Sequence, residues 1–381
     1  MTEAQYDVAI VGGGIAGASM AAFLSPGTRT AILERETQPG YHTTGRSAAF
    51  YAETYGGPDV QPLTTASRAF FDAPPPGFAD HPLLSTRGAL HVVRDGGLSA
   101  LDALERDFAA SGVVIERLDR AGTRARVPML RDPWTITSLW EPGCADIDVG
   151  ALHQGFLKMA RANGCEFRSD AEVIAIAHDG RRWQLRLKSG DAISARVVVN
   201  AAGAWADWFA RLAGVPTLGI QPYRRTIAQV IGEPPLPRDL PVVIDAGGDW
   251  YFKPEADRIW VSPHDEIPDE ACDAQPDHYD VATAIDRFEK ATTTRVVKLD
   301  RAWAGLRNFA PDRLPVFGFD PAAPGWFWCA GQGGFGIQTA PAAGLLCAAL
   351  IEGRALPDAL TRHGITAERY APVRLHVAQA A

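Results

Sequence analysis

No stretch of the chain is apolar for long enough to cross a bilayer: Gly and Pro interrupt each hydrophobic run well short of the ~20 residues a helical span needs. The opening residues, Met1-Thr2-Glu3-Ala4-Gln5-Tyr6-Asp7, lack a basic segment and run almost directly into a strand pattern, so no signal peptide is expected. Basic residues are in deficit, 37 Lys and Arg against 45 Asp and Glu, for a formal net charge of -8. No surplus exists to neutralise phosphates, which argues against nucleic acid as a partner. Cysteine is scarce. Cys144, Cys165, Cys272, Cys329 and Cys347 are scattered without metal-ligand spacing. No metal site and no disulfide framework are expected, and a reducing cytoplasm suits such a set. Internal repeats and low-complexity tracts are absent. What remains is a chain of 381 residues, 46% of them hydrophobic, long enough for two or three domains.

The first 34 residues read as a β-turn-α-β unit. Asp7 to Val11 is an apolar strand, Ile15 to Leu24 an alanine-rich helix, and Thr30 to Leu33 a second strand ending at Glu34. A long loop from Arg35 to Tyr55 follows, and loops of that length inside a compact domain are usually functional. Beyond Pro74-Pro75-Pro76, the pattern predicts a strand at Gly88 to Val93 and a helix at Leu98 to Ser111. It continues with a helix at Asp146 to Ala162 and strands near Ala171 to Ile176, Trp183 to Lys188 and Val197 to Ala201. A β-rich, Pro-punctuated region covers Ile220 to Ser262, and a helix is expected at Tyr279 to Ala291. The chain closes with a strand at Trp326 to Ala330, a second Gly-rich turn and a helix from about Thr339 to Leu350.

The turn Gly12-Gly13-Gly14-Ile15-Ala16-Gly17 sits between strand and helix, with an acid about twenty positions on. That context distinguishes a dinucleotide site from a tight turn that binds nothing. Gly12 permits the turn, Gly14 lets the backbone approach a pyrophosphate, and Gly17 lets the helix pack closely. The helix start offers free N–H groups to phosphate, and Glu34 is placed to accept from ribose hydroxyls, which disfavours NADP. The Thr43-Thr44-Gly45-Arg46-Ser47-Ala48-Ala49 loop suits an extended cofactor, FAD rather than NAD.

These features, with Gly40-Tyr41-His42-Thr43-Thr44-Gly45-Arg46-Ser47, Asn200-Ala201-Ala202-Gly203-Ala204-Trp205 and Gly331-Gln332-Gly333-Gly334-Phe335-Gly336-Ile337-Gln338-Thr339, resemble the D-amino-acid oxidase superfamily. Within it the likeness leans toward bacterial D-arginine dehydrogenases, also through Gly150-Ala151-Leu152-His153-Gln154-Gly155 and Trp303-Ala304-Gly305-Leu306-Arg307. The resemblance implies an α/β (α+β) fold: a Rossmann-like FAD-binding domain of the glycine-oxidase type with an inserted sheet-rich substrate domain. The expected division is 1-84 with 146-218 and 302-381 for FAD, and 85-145 with 219-301 for substrate. It also implies non-covalent FAD, since the 307–312 loop carries no Cys. Contacts are expected from Gly12, Gly14, Ala16, Gly17, Glu34, Arg35, Thr43, Thr44, Gly45, Arg46, Ser47, Ala48, Ala49, Phe50, Val173, Gly203, Gly333, Gly334, Phe335, Gly336, Ile337 and Gln338. The second Gly-rich turn precedes a helix, whose start is placed to stabilise charge on a reduced flavin by up to about 2 kcal/mol.

A free amino acid brings a carboxylate, which a guanidinium fork matches. Arg307 sits in an otherwise apolar stretch, though a structural ion pair would also explain it. Of Arg224 and Arg225, neighbours on a strand, only one faces a given side. The resemblance favours Arg225, and two solvated arginines remain the plain reading. Read alone, Tyr251 is a core tyrosine; the resemblance makes Tyr251 and Tyr55 substrate contacts. His42 is open to reading as a base, a cofactor contact or a solvated histidine. At Ala89 the D-arginine enzymes carry a carboxylate that pairs with the cationic side chain. Alanine there, with Phe50, Trp250 and Gly334 in the pocket, leads to an expected neutral or hydrophobic side chain, unless an acid such as Glu53 compensates.

The expected activity is oxidative deamination of a D-amino acid to the 2-oxo acid and ammonia by hydride transfer to flavin N5, in an EC 1.4 dehydrogenase or oxidase. Rival readings are a secondary amine (an opine or N-methyl amino acid), a 2-hydroxy acid, or an electron-relay flavoprotein subunit. The acceptor is left open between a quinone, an artificial acceptor and oxygen. A cytoplasmic location is expected, with peripheral attachment at the inner membrane left open.

Overall fold

The computed structural model describes residues 4–379; the reading of Met1 to Glu3 lies outside them. Two large sheets organise the described residues. The first has eight strands, with the path 173–178, 183–187, 192–200, 4–11, 30–33, 166–168 and the pair 316–319 and 326–330 joined through 192–200. Its centre is parallel: Ala4–Val11 pairs with Thr30–Leu33 on one side and Ala192–Asn200 on the other. Parallel strands need helical crossovers on the faces, and the middles of these strands, Val8 to Ile10, Ala31 to Leu33 and Val198 to Val199, are accordingly apolar and buried. Thr30–Leu33 and Trp326–Ala330 are buried at every position. Helices Ile15–Phe23, Val149–Ala162 and Gly336–Ile351 pack together over one face.

The second sheet has ten strands, largely antiparallel. Its order from one edge is 332–333, 295–309, 221–233, 258–262, 251–255, 242–245, 89–92, 137–141 and 116–119, with 267–268 paired to 221–233. The two longest strands, Gln221–Glu233 and Arg295–Phe309, form its spine. Arg295–Phe309 is continuous through residue 302, so the expected boundary there falls inside a strand. Helix His278–Ala291 covers one face, packing Phe288 on Phe252 at 5.0 Å between ring centres. A three-stranded sheet is formed by Phe50–Tyr51, Ala145–Ile147 and Leu84–Thr86, in that order.

Two local expectations are corrected, and one helix is added. The helix expected from Asp146 starts at Val149, because Ala145–Ile147 is a strand and the Asp148 carboxylate caps the helix through the Ala151 N–H at 2.8 Å. The last helix starts at Gly336 rather than Thr339. Helix Gln61–Asp72 was not expected at all. No helix among the described residues is long and apolar enough to cross a membrane.

Candidate active site

Both large sheets open into one cavity of about 1060 Å³. That matches or exceeds the upper end of ordinary small-molecule pockets, ~300–1,000 Å³. One end is built by the first Gly-rich turn. Gly12 adopts φ +113° and donates its N–H to the Leu33 carbonyl at 2.9 Å; a Cβ there would lie 2.3 Å from the Ala201 oxygen. A Cβ on Gly17 would lie 2.1 Å from the Gly12 oxygen, so the helix sits directly on the turn. Thr44 reaches back to accept the Ile15 N–H at 3.0 Å. Glu34 is buried, with one oxygen accepting from the Gly13 N–H at 2.8 Å and the other from the Glu36 N–H at 2.9 Å. A carboxylate has about four acceptor positions, so two remain for hydroxyl donors. Arg35 lies over Trp205, 4.3 Å from its ring centre.

The other end is a row of side chains read straight off sheet register. Arg225 pairs with Gly305, and Arg307 is two residues on, so both guanidiniums project from the same face. Arg224 is in register with Leu306 and faces the other way, where Asp280 takes it at 3.1 Å and Asp269 at 3.6 Å. Tyr251 pairs with Ser262 on one side and Ile244 on the other, and Ile244 pairs with His91. Strands lie ~4.8 Å apart, so this row runs from the arginines through Tyr251 to Ile244 and His91. Tyr55 closes the site from the loop, with its hydroxyl accepting from Arg307, and Phe50 packs on both tyrosines at 5.7 and 6.2 Å.

The charges here are held at a cost. Arg225 is buried; its Nε donates to the Asp265 carbonyl at 2.6 Å, its Nη2 is 3.4 Å from Glu266, and its Nη1 has no partner among the described residues. Burial lowers its pKa. Burial, and then the Arg313 cation, push Arg307 down to about 9, still protonated at neutral pH. Both guanidiniums thus stand on one cavity face, and the Glu266 carboxylate is 3.4 Å from each. Burial raises Tyr251, so it stays a neutral donor. His264 lines the cavity in the left-handed region at φ +55°, its Nδ1 bonded to the Gly248 carbonyl at 2.8 Å. Burial and the Arg225 cation push it down to about 4, leaving a neutral ring.

Residues 7–350 match the family described as FAD dependent oxidoreductase (DAO). The chain belongs to this family. FAD is its cofactor. The hydrogen cyanide synthase subunit HcnC of Pseudomonas aeruginosa is 26% identical, across 99% of both chains. Glycine oxidase of Geobacillus kaustophilus is 25% identical over 94% of this chain and 97% of its own. Among solved structures, that glycine oxidase superposes with a TM-score of 0.81 at 24% identity, over 92% of this chain and 96% of its own. L-proline dehydrogenase from P. horikoshii superposes at 0.84 and 21% identity, over 99% of both. The DAO/glycine-oxidase type of fold is thereby shown.

The residues present fit FAD. The cavity extends from Glu34 and Arg35 to Tyr251 and Arg307, and two buried atoms on its wall, His42 Nδ1 and Asn308 Oδ1, have no partner within the described chain. Gly14, Ala16, Thr43, Ser47, Ala48, Ala49, Phe50, Val173, Gly203, Gly333, Gly334, Gly336 and Ile337 all line it. Gly17, Gly45 and Phe335 do not. Gly17 lies beneath the turn, Gly45 is bonded to the Gly40 carbonyl at 2.8 Å, and the Phe335 ring packs with Val60 and Phe309. Arg46 lines the cavity, but its guanidinium is committed to Asp273 and to the Ala274 and Ala304 carbonyls at 2.8 and 3.2 Å. It ties the loop to the second sheet. Gln338 is also a fastener: it accepts the Ala52 N–H and donates to the Tyr55 carbonyl and Thr64, each at 3.0 Å. His42 pairs with Glu36 at 2.8 Å and packs on Trp205, at the Arg35 end of the cavity.

Two pocket assignments are corrected. Ala89 faces the same way as His91, but Ala52, Phe50 and Tyr55 cover it, and it is not part of the wall. Trp250 faces away from Tyr251, as successive strand residues must, and packs on Trp134 and Phe252 at 5.0 and 5.8 Å. Glu53 is bonded to Thr65 and is not in the wall. His91, His264 and Glu266 carried no motif in the sequence; only the strand register and the return of the 263–268 loop bring them to the site.

Proposed function

We propose that this chain oxidises the Cα–N bond of a free D-amino acid with an uncharged side chain, giving an imino acid that hydrolyses to the 2-oxo acid and ammonia. The observation that carries this reading is the pair Arg225 and Arg307: two cavity-facing guanidiniums on one sheet face, one with an unpartnered buried N–H. They hold the substrate carboxylate, and the Tyr251 and Tyr55 hydroxyls flank it. FAD, when bound, supplies the two-electron acceptor for the hydride leaving Cα. The protein then has to place Cα and keep the amine neutral. His264, at about 4, is too weak a base to take a proton from an ammonium group, and Tyr251 stays protonated. The amine therefore gives its proton to water.

The side-chain end is walled by Phe50, Ile244 and His91. The nearest acids are spoken for. Glu141 serves His91, Thr54 and two backbone N–H groups, and Asp245 takes the Asp249 N–H at 3.0 Å. A cationic side chain would find Glu141 committed and, of the acids lining that end, only Asp245, which faces away from Ile244 on its strand; burial without a counterion costs several kcal/mol. The D configuration rests on the motif resemblance read from the sequence alone. A secondary amine bearing a carboxylate fits the arginine pair equally well and is the second reading.

The test is anaerobic loss of flavin absorbance with a panel of D- and L-amino acids and N-alkyl amino acids, followed by air. D-amino acids with uncharged side chains should bleach fastest. D-Arg as the best substrate would overturn the side-chain assignment, and no bleaching by any amino acid would overturn the whole reading. Arg307→Ala should raise KM by roughly 30-fold or more, the loss of a charge-assisted pair.

A further inference from the structure

The arginine end of the cavity already holds a carboxylate of its own. Glu266 lies in the loop between strands Arg258–Ser262 and Ile267–Pro268. Its Oε1 is 3.4 Å from Arg225 Nη2 and 3.4 Å from Arg307 Nη1. The same oxygen is 3.0 Å from Arg313 Nη2, which also meets Oε2 at 2.9 Å. One carboxylate is thus shared by three guanidiniums, and unequally. The contacts to Arg313 are good hydrogen bonds; those to the two cavity arginines are long. Arg313 stands outside the cavity wall, stacked on Phe309 at 3.9 Å, and is half exposed. Glu266 is 33% exposed and is not part of the wall either. It approaches Arg225 and Arg307 from the rim, whereas a substrate would approach them from the cavity.

Charge counting gives the arrangement a purpose. Arg225, Arg307 and Arg313 bring three positive charges. Glu266 and Asp265, the latter 3.7 Å from Arg225 Nε, bring two negative ones. One positive charge is left over, and one substrate carboxylate balances it. Without Glu266 two would be left over, and the guanidiniums would bind any carboxylate more tightly.

We propose that Glu266 is an internal counterion of the arginine pair. It holds Arg225 and Arg307 in place when no substrate carboxylate is bound and retreats onto Arg313 when one arrives. It therefore sets both the affinity and the charge class of the site, which is tuned to a monocarboxylate. Glu266 is a positioning residue: it acts through the arginines and touches neither substrate nor FAD. This inference rests on the amino-acid reading above.

The test uses the holoenzyme without turnover. The flavin absorbance is titrated with benzoate, a carboxylate with no amine to oxidise, and with benzamide, its uncharged match. Glu266→Gln should tighten benzoate about tenfold, the effect of one unit charge some 6 Å away in a partly solvated site, and leave benzamide unmoved. Arg313→Gln should act in the opposite direction, because Glu266 loses its alternative partner and competes harder. If Glu266→Gln fails to load FAD, Glu266→Asp, which withdraws the carboxylate by one methylene, should give intermediate tightening. Equal or weaker benzoate binding in the Glu266 variant, or tighter binding in the Arg313 variant, overturns the inference alone. If benzoate does not perturb the wild-type flavin, the arginine reading itself falls.

Discussion

Gly334 has no room for a methyl group. A Cβ there would lie 2.2 Å from the Tyr55 hydroxyl and 2.6 Å from Arg307 Cζ and Nε. Both obstacles are the ends of flexible side chains, unlike the backbone oxygen that blocks Gly12. Gly334→Ala should therefore cost little stability, under about 1 kcal/mol, because the side chains swing away. The site should suffer instead, with KM for the amino acid rising about tenfold or more as Arg307 and Tyr55 are displaced. Steady-state kinetics beside a thermal melt would check this, and an unchanged KM would remove the Tyr55–Arg307 pair from substrate binding. The same scale shows what a sequence carries. Alternation along one strand separates Arg224 from Arg225, and the register then puts Arg225 and Arg307 on one face. Alternation says nothing of what lies on top of a strand. Ala89 faces the correct way yet is covered by the segment from Phe50 to Tyr55. Glu266 reaches the arginines from forty-one residues along the chain, with no motif to mark it.

The segment that carries Phe50 and Tyr55 has almost no secondary structure of its own, only the two-residue strand Phe50–Tyr51. It is fastened from both sides. Gln338 holds the Ala52 N–H and the Tyr55 carbonyl, and Glu141 holds the Glu53 N–H at 2.7 Å, the Thr54 N–H at 3.4 Å and the Thr54 hydroxyl at 2.7 Å. Glu141 also meets His91 at 3.3 Å. Burial works to raise the Glu141 pKa, but the hydrogen bonds from His91, Thr54 and the Glu53 backbone outweigh it and hold it below 4.5. A depressed carboxylate stabilises the fold above its unfolded pKa and loses that contribution as pH falls through its folded one. Glu141→Gln turns one acceptor into a donor facing other donors. It should cost about 2–4 kcal/mol in chemical denaturation and lower kcat/KM by loosening Tyr55. The acid limb of the stability profile below pH 4.5 should flatten in the variant; an unchanged limb would mean that Glu141 is not charged in the folded state. Elements with a strong apolar pattern were legible: Thr30–Leu33 and Trp326–Ala330 match their expected bounds. Helix Gln61–Asp72 was not, because its buried stripe of Leu63, Thr64, Ser67 and Phe71 is half polar; Pro62 lies in the first turn, where a helix accepts it.

At the scale of the whole molecule, the sheets meet in a single cavity. Gly12, Gly14 and Glu34 come from the first sheet's turn, while Arg225, Tyr251 and Arg307 come from the second sheet. The Gly-rich turns announced the first half of that cavity in the sequence. The second half depends on how ten strands are ordered, which pairs residues as far apart as His91 and Ile244. Several contacts tie the halves at the cavity mouth: Thr43 donates to the Leu306 carbonyl at 2.8 Å, Arg46 reaches Ala274, Ala304 and Asp273, Trp303 Nε1 donates to the Arg46 carbonyl at 3.1 Å, and Asn308 pairs with Gly333. FAD held along the whole cavity would add a further bridge between both sheets. Binding to the folded state alone stabilises by about 4 kcal/mol at a free concentration 1,000 times Kd. At 381 residues that corresponds to roughly 4–8 °C in Tm. Removing FAD should lower one cooperative transition by that amount, not split it, because the direct contacts between the sheets couple them with or without the cofactor. Scanning calorimetry of apo and reconstituted protein distinguishes the cases. Two transitions with only one of them sensitive to FAD would mean that the cofactor is held by the first sheet alone, and that the arginines and tyrosines of the second are assembled without it.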